Sequence, residues 1–157
     1  MKIKIFLDGA DRASMVEMAK DPLIQGFTTN PSLMKKAGVK DYAAFCKEIL
    51  PSLGGKPVSF EVFADDFREM KRQAAEIARW ENKGDQIYVK IPIQNSKGES
   101  SIPLVHELSN AGVKLNVTAI YTYRQIWETC EAVKKGAPSI VSVFAGRIAD
   151  TGSDPLP

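Results

Sequence analysis

The sequence predicts an α/β fold of the (β/α)8 TIM-barrel type, and three observations lead to that prediction. Strand-like and helix-like segments alternate six times along the 157 residues. Repeated βα units imply parallel strands with helices packed outside them, in either a doubly wound sheet or a barrel. The first strand runs into DGADRAS, which lacks the GxGxxG loop typical of the doubly wound sheet. Polar residues also recur at the strand ends, which favours the barrel.

The six predicted strands are short apolar runs between amphipathic segments. They are Ile3–Asp8, Gln25–Asn30, Val58–Phe63, Ile87–Ile93, Lys114–Ile120 and Ser139–Phe144. The fourth contains QIYVKIPI, which is typical of a strand covered on both faces, yet Lys90 lies at its centre. Lysine is rarely fully buried, so either an edge strand or a side chain reaching water would explain it. The alternative is a desolvated amine kept for chemistry.

The amphipathic segments between the strands predict the helices. The segment Asp65–Trp80 has an apolar stripe at helical spacing, and Asp65 is expected to cap its N-terminus. The segment Thr122–Lys135 has a second stripe; it is expected to start at Thr122 and to end near Gly136.

Two further regions carry helix boundary signals. Pro103 suits the first turn of a helix, and Gly112 suits its end. Residues 31–53 predict a short helix, a break near Gly38 and a second helix from Asp41.

Composition narrows the possible functions. The chain is 44% hydrophobic and 25% charged, as expected of a single globular domain over residues 1–157. The net charge of +2 is too close to balance to predict nucleic acid or an anionic membrane as a partner. No apolar run approaches the roughly 20 residues of a membrane span, and MKIKIFLD is charged too early for a signal peptide. We therefore expect a cytoplasmic protein.

The cysteines and the single histidine argue against a zinc site. Cys46 and Cys130 each lie within a helical pattern and are expected to be reduced core thiols. His106 is the only histidine and no CxxC motif is present, so His106 is expected to be an ordinary helix residue.

Every predicted strand has a polar residue in or just beyond its C-terminal half. These residues are Asp8, Asn30, Glu61, Lys90, Asn116 with Thr118, and Ser142. Side chains two apart share a face, so the polar residues face one way and their apolar neighbours face the helices. The sequence therefore predicts an inward polar ring at the C-terminal rim, where barrel enzymes have their active sites. The alternative is a row of satisfied polar strand ends without function.

This ring can support Schiff-base chemistry. A neutral Lys90 amine can attack a carbonyl to form an imine, and the protonated imine withdraws electrons so that the adjacent carbon–carbon bond can break. The reaction needs groups that accept and donate protons, and Asp8 and Glu61 are the available carboxylates.

Four motifs resemble the signatures of transaldolases. They are GFTTNPSL at 26–33, VKIPI at 89–93, NVTAIY at 116–121 and SVFAGRI at 142–148. The chain is most similar to the short transaldolase branch, which also includes fructose-6-phosphate aldolases. The resemblance extends from LDGAD to AGRIAD, nearly the whole chain, and TTNPS and VKIP are specific when they occur together. It implies a class I aldolase barrel with no metal or organic cofactor.

The resemblance also implies a role for each site residue. Lys90 would form the Schiff base with the dihydroxyacetone unit of a ketose phosphate, and Asp8 would be the acid/base in carbon–carbon cleavage. Glu61 and Thr118 would position the water of imine formation and release, and Arg147 would bind the substrate phosphate. The remaining substrate-binding residues would be Thr29, Asn30, Asn116, Ser142 and Phe144.

Two of these positions favour transaldolase over aldolase activity. Fructose-6-phosphate aldolases typically have glutamine at the position of Glu61 and tyrosine at that of Phe144. The implied reaction converts sedoheptulose 7-phosphate and glyceraldehyde 3-phosphate into erythrose 4-phosphate and fructose 6-phosphate, in the pentose phosphate pathway. A homo-oligomer acting on sugar phosphates is expected. The alternatives are a fructose-6-phosphate aldolase and a catalytically silent barrel fragment that acts as an interaction module.

The number of units predicts an incomplete barrel. The polar markers recur roughly every 27 residues, so eight units would need somewhat over 210 residues, and about six are present. An unclosed barrel has two open edges, from which we expect low activity and a tendency to associate. A truncated product, a split half and an assembly that shares strands are the alternatives.

Overall fold

The computed structural model describes residues 3–81 and 85–155, which form one six-stranded sheet with helices packed on its outer face. The strands are β1 Ile5–Asp8, β2 Ile24–Thr28, β3 Val58–Glu61, β4 Ile87–Pro92, β5 Leu115–Ile120 and β6 Ile140–Val143. All neighbouring pairs are parallel, and each strand pairs with the next one in the sequence. This order excludes a doubly wound sheet, in which the order reverses. The sheet is curled, so the predicted partial (β/α)8 barrel is confirmed.

Each strand lies within the predicted range or one residue outside it, and helices fill the intervals between strands. The helices are α1 Arg12–Met18, α2 Pro31–Lys36, α3 Tyr42–Ile49, α4 Phe67–Ile77, α5 Ile102–Asn110, α6 Tyr123–Val133 and α7 Ala145–Asp150. A 3₁₀ turn at Leu50–Leu53 extends α3. The predicted break near Gly38 is confirmed, since this residue has a φ of 73°, which glycine adopts without steric cost.

Of the two predicted N-terminal helix caps, one is correct and one is wrong. Thr122 caps α6 as predicted, with Gln125 completing a reciprocal capping box. The prediction that Asp65 caps α4 is wrong, because the helix begins one residue later and Asp66 accepts the hydrogen bond from the Glu69 N–H at 3.0 Å. Asp65 instead accepts hydrogen bonds from the backbone N–H and the hydroxyl of Ser96, at 2.7 and 2.6 Å. It therefore joins the loops that follow β3 and β4.

The core lies between the outward strand faces and the helices. Its members include Phe60, Val89 and Ile91 from the strands, all essentially inaccessible to solvent. This confirms the predicted parity of β3 and β4, in which apolar side chains alternate with the polar ones.

The cysteine and histidine predictions have mixed outcomes. Cys46 is a buried free thiol, whereas Cys130 is exposed, so the prediction of two core thiols is wrong for Cys130. The reason is that α6 buries Thr129 and Ala132 and turns Cys130 outward. His106 lies on α5 with its Nε2 3.0 Å from the side-chain nitrogen of Asn110, as an ordinary helix residue would. Within residues 3–81 and 85–155, no helix is both long and apolar enough to cross a membrane.

Candidate active site

A cavity of about 750 Å³ opens at the carboxyl ends of the strands. The predicted site residues that line it are Asp8, Asn30, Lys90, Asn116, Thr118, Ser142, Phe144 and Arg147. Because parallel strands end at one rim, residues far apart in sequence meet here. The structure therefore brings together eight of the predicted residues, and it places Glu61 and Thr29 outside the cavity lining.

Lys90 lies in the middle of the sheet with its amine near the cavity. Strand β4 is flanked by β3 and β5, so Lys90 is not on an edge strand. Its side chain is only 11% exposed, and Nζ lies 3.4 Å from Oε2 of Glu61 and 3.4 Å from the carbonyl oxygen of Thr29. Lys90 and Glu61 are register partners on adjacent strands, which places the two side chains on the same face. The amine is thus held inside the polar ring.

Glu61 is a largely buried carboxyl beside that amine. Burial raises its pKa above the ordinary glutamate value, the Lys90 ammonium opposes this, and the Asp8 carboxylate adds slightly to the increase. Desolvation is the largest of these effects. Glu61 therefore keeps its proton to a higher pH than a free glutamate does, which suits a group that donates a proton and then accepts it again.

The ends of β1 and β2 contribute a carboxylate and a hydroxyl. Asp8 and Thr28 are register partners, and the Thr28 hydroxyl donates a hydrogen bond to Oδ1 of Asp8 at 2.9 Å. Thr28 lines the cavity, whereas Thr29 is buried and its hydroxyl donates to the Ser59 carbonyl oxygen at 2.8 Å. Sequence reasoning missed Thr28, although its position two residues before Asn30 places both on one face.

Asn30 has a double role at the start of α2. Its Oδ1 accepts a hydrogen bond from the Leu33 N–H at 2.9 Å and caps the helix. This bond uses one lone pair of the carboxamide oxygen, so the NH₂ group and the second lone pair remain for a ligand in the cavity.

Strand β5 ends in a distorted segment that holds Thr118. The pairing of β5 with β6 shifts between Val117 and Ile120, and Ala119 has a φ of 58°. A left-handed backbone costs a non-glycine residue about 1–2 kcal/mol. Among the described residues, none provides a hydrogen-bond partner for the Thr118 hydroxyl, which is buried. A buried hydroxyl without a partner costs about 1–3 kcal/mol, which water or a ligand in the cavity would offset.

The outer wall of the cavity comes from β6 and α7. Phe144 contacts Tyr121 edge to face, with ring centroids 5.6 Å apart. Arg147 is mostly exposed, and its Nη1 lies 3.7 Å from Oδ2 of Asp150. An exposed ion pair of this length is weak, so the guanidinium is available to an anion that enters the cavity.

The described side chains offer no obvious metal centre, since nowhere in residues 3–81 and 85–155 do three or more histidine, cysteine, aspartate or glutamate residues cluster. The cavity instead combines an enclosed amine, two carboxyls, several hydroxyl and amide groups and a guanidinium. These groups can form an imine, transfer protons and bind a polyhydroxylated anion.

Comparisons with known proteins identify a family and several relatives. The family model described as Transaldolase/Fructose-6-phosphate aldolase matches residues 5–156. A protein named probable transaldolase from Methanococcus maripaludis strain C5 is 40% identical over 152 residues, which cover 97% of this chain and 65% of that protein. Proteins of the same name from Streptococcus agalactiae serotype V and Dehalococcoides mccartyi are 36% and 35% identical, with the same coverage. The chain thus spans 65% of the length of these relatives.

Proposed function

Because the chain belongs to the transaldolase/fructose-6-phosphate aldolase family, we propose that it acts by class I Schiff-base chemistry as a transaldolase. The observation that carries the proposal is the enclosed Lys90 amine, 3.4 Å from the Glu61 carboxyl at a cavity lined with hydroxyl and amide groups. A buried amine beside a carboxyl with a raised pKa is suited to imine formation.

The first stage joins the amine to a ketose phosphate. Lys90 Nζ attacks the carbonyl carbon, and the resulting carbinolamine loses water to give the imine. Glu61 in its protonated form supplies the proton that leaves with this water, and the free Thr118 hydroxyl holds the water near the imine carbon. Desolvation of Glu61 therefore supports its role as the acid in this step.

The second stage breaks and remakes a carbon–carbon bond. Asp8 accepts the proton of the hydroxyl on the carbon that becomes the aldehyde, and the electrons of the broken bond move into the imine to give an enamine. The retained three-carbon unit then attacks the aldehyde carbon of the acceptor, and Asp8 returns the proton. Hydrolysis of the new imine releases the product and frees Lys90.

The substrates in this proposal are sugar phosphates. Arg147 would bind the phosphate at the open side of the cavity, and the polar groups of Asn30, Asn116 and Ser142 would bind sugar hydroxyls. The full reaction converts sedoheptulose 7-phosphate and glyceraldehyde 3-phosphate into erythrose 4-phosphate and fructose 6-phosphate, in the cytoplasmic pentose phosphate pathway. Assembly into a homo-oligomer stays a prediction, which light scattering of the purified chain tests.

Glu61 and Phe144 favour transaldolase over fructose-6-phosphate aldolase activity, since glutamine and tyrosine are typical of the aldolases at these positions. Consumption of fructose 6-phosphate should therefore be much faster with erythrose 4-phosphate present than without it. Equal release of free dihydroxyacetone without an acceptor would assign the aldolase reaction instead.

Reductive trapping tests the chemistry directly. Incubation with fructose 6-phosphate and cyanoborohydride should convert the imine into a stable secondary amine on Lys90, which peptide mass spectrometry locates. Lys90→Met should give no adduct. Lys114→Met is the matched control, because Lys114 directly precedes β5, at the amino end of the strand, and its Nζ donates to the Asp85 carbonyl oxygen at 3.0 Å. The Lys114→Met chain should therefore retain the adduct.

The same experiment separates an enzyme from a silent interaction module. A folded chain that gives no adduct, or an adduct at another lysine, would remove Lys90 from the proposed role. An adduct at Lys90 without turnover of either sugar phosphate would mean that the cavity forms the imine but lacks a later step.

A further inference from the structure

A chain of three hydrogen-bonded side chains crosses the inside of the sheet. The Ser142 hydroxyl donates to Oδ1 of Asn116 at 2.7 Å, and Nδ2 of Asn116 donates to the Ser59 hydroxyl oxygen at 2.9 Å. These residues lie on β6, β5 and β3, so the last bond reaches across the inner face of β4. In register, Asn116 is the partner of Lys90, and Ser59 is the partner of Tyr88, two residues before it.

Ser59 differs from the other two members because it does not line the cavity. It is only 1% exposed, whereas Asn116 and Ser142 both contribute to the lining. Any effect of Ser59 on a ligand in the cavity would therefore have to pass through Asn116. The sequence shows it only as the residue on the same face as Glu61, with no motif attached.

The contact with Ser59 holds the Asn116 carboxamide in place from one side, and Ser142 holds it from the other. A serine hydroxyl can accept or donate a hydrogen bond, and in this structure the Ser59 hydroxyl accepts from the carboxamide nitrogen. With Nδ2 directed at Ser59, Oδ1 faces Ser142 and accepts a hydrogen bond from its hydroxyl group. The Ser142 oxygen then keeps free lone pairs, and Asn116 keeps one N–H. Together they offer one acceptor and one donor to the cavity, which match a single hydroxyl group.

We propose that Ser59 is a positioning residue that orients Asn116 and Ser142 to bind the hydroxyl next to the ketone carbonyl of the substrate. This inference rests on the proposed Schiff-base function. It deepens that function by assigning the selection of hydroxyketones over simple ketones to a residue that does not contact them.

A pair of small ketones tests the proposal. Hydroxyacetone has the hydroxyl in question and acetone lacks it, and both can form a trappable imine with Lys90. In the unmodified chain, cyanoborohydride trapping should be faster with hydroxyacetone. Ser59→Ala should reduce the hydroxyacetone rate about tenfold, the size expected for one misdirected hydrogen bond, and leave the acetone rate within about twofold. Ser59→Thr keeps the hydroxyl and should restore the preference.

Two further measurements distinguish positioning from general damage. In an Asn116→Ala background, Ser59→Ala should have no additional effect on the ratio of the hydroxyacetone and acetone trapping rates. The reason is that the carboxamide through which Ser59 acts is already missing. In the free protein, NMR should show slow water exchange of the Asn116 side-chain NH₂ protons, and faster exchange in Ser59→Ala. This second measurement requires no ligand, so it tests the hydrogen bond between Ser59 and Asn116 independently of activity.

The outcomes are separable. An equal loss of trapping for both ketones in Ser59→Ala, or unchanged exchange of the Asn116 NH₂ protons, would overturn the positioning role. An unmodified chain that traps neither ketone would overturn the proposed function, and with it the ketone selection. In that case the exchange measurement alone decides whether Ser59 orients Asn116.

Discussion

The four inner strands and the two outermost strands are built from similar residues but have different surroundings. Strand β4 alternates fully buried apolar side chains with half-buried ones, and Ile91 is inaccessible to solvent. On β1, Ile5 is 47% exposed, and on β6, Val143 is 36% exposed. Within the described sheet, β4 has a strand on each side, whereas β1 and β6 each pair on one side only. Position in the sheet, rather than composition, therefore decides burial.

The same contrast divides the candidate site. Lys90 and Glu61 lie on β4 and β3, where both side chains are largely enclosed and burial raises the pKa of the Glu61 carboxyl. Asp8 and Arg147 lie at the outer strands and are exposed, so their interactions depend on direct contacts instead. In the proposed mechanism, the enclosed part of the site forms the imine, and the open part contributes the Asp8 carboxylate and the Arg147 guanidinium.

The largest expected effect is on stability, when isoleucine is replaced by alanine in an inner strand and in an outermost strand. Ile91→Ala removes a fully buried side chain from β4 and should lower the free energy of unfolding by about 2–5 kcal/mol. Ile5→Ala on β1 removes a side chain that is already half exposed, and should cost less than about 1 kcal/mol. Urea denaturation of both variants measures the difference. Equal losses would show that the outer strands are packed as tightly as the centre.

A second prediction concerns anion binding at the open side. Arg147→Ala should weaken binding of fructose 6-phosphate about tenfold, as expected for loss of a charge-assisted hydrogen bond, and barely change that of dihydroxyacetone. Arg124→Ala is the matched control, because Arg124 is an exposed arginine on α6 that pairs with Glu128 at 2.7 Å. Equilibrium dialysis measures all three proteins. A similar loss for both ligands would assign Arg147 a structural role.

A third prediction uses the raised pKa of Glu61. Between the ordinary glutamate pKa, about 4.3, and the raised value, the folded chain binds more protons at this position than the unfolded chain. The contribution of Glu61 to stability therefore falls as the pH rises through that window. The glutamine side chain of the Glu61→Gln variant cannot ionise. The free energy of unfolding of this variant, relative to that of the unmodified chain, should therefore increase as the pH rises from 4 to 7. A constant difference across this range would contradict the desolvation of Glu61.

The smallest expected effect is at the distorted end of β5. Ala119 has a φ of 58°, so Ala119→Gly should relieve about 1–2 kcal/mol of strain, partly offset by the greater flexibility of glycine in the unfolded chain. The net gain should be at most about 1 kcal/mol. Ala78→Gly, at a φ of −60°, should instead destabilise the chain. Thermal unfolding that shows a loss in both variants would argue against strain at Ala119.

Periodic patterns in the sequence by themselves determined the strand–helix order and the face of each strand residue. The period of two in QIYVKIPI placed Lys90 opposite its apolar neighbours, and the structure agrees. Helix starts were also predicted where a cap is unambiguous, as at Thr122 and Asp41. These features depend on a few adjacent residues and their backbone geometry, so they can be identified without knowing what packs against them.

Only the tertiary structure decided which groups meet and which are covered. The choice of Thr28 over Thr29 for the cavity, and the exposure of Cys130, depend on neighbours distant in sequence. The bonds from Ser59 to Asn116 and from Asn116 to Ser142 join three strands and have no counterpart in any local pattern. The burial of a side chain and its hydrogen bonds depend on the residues that the curled sheet brings next to it. A periodic pattern of neighbouring residues does not identify these distant partners.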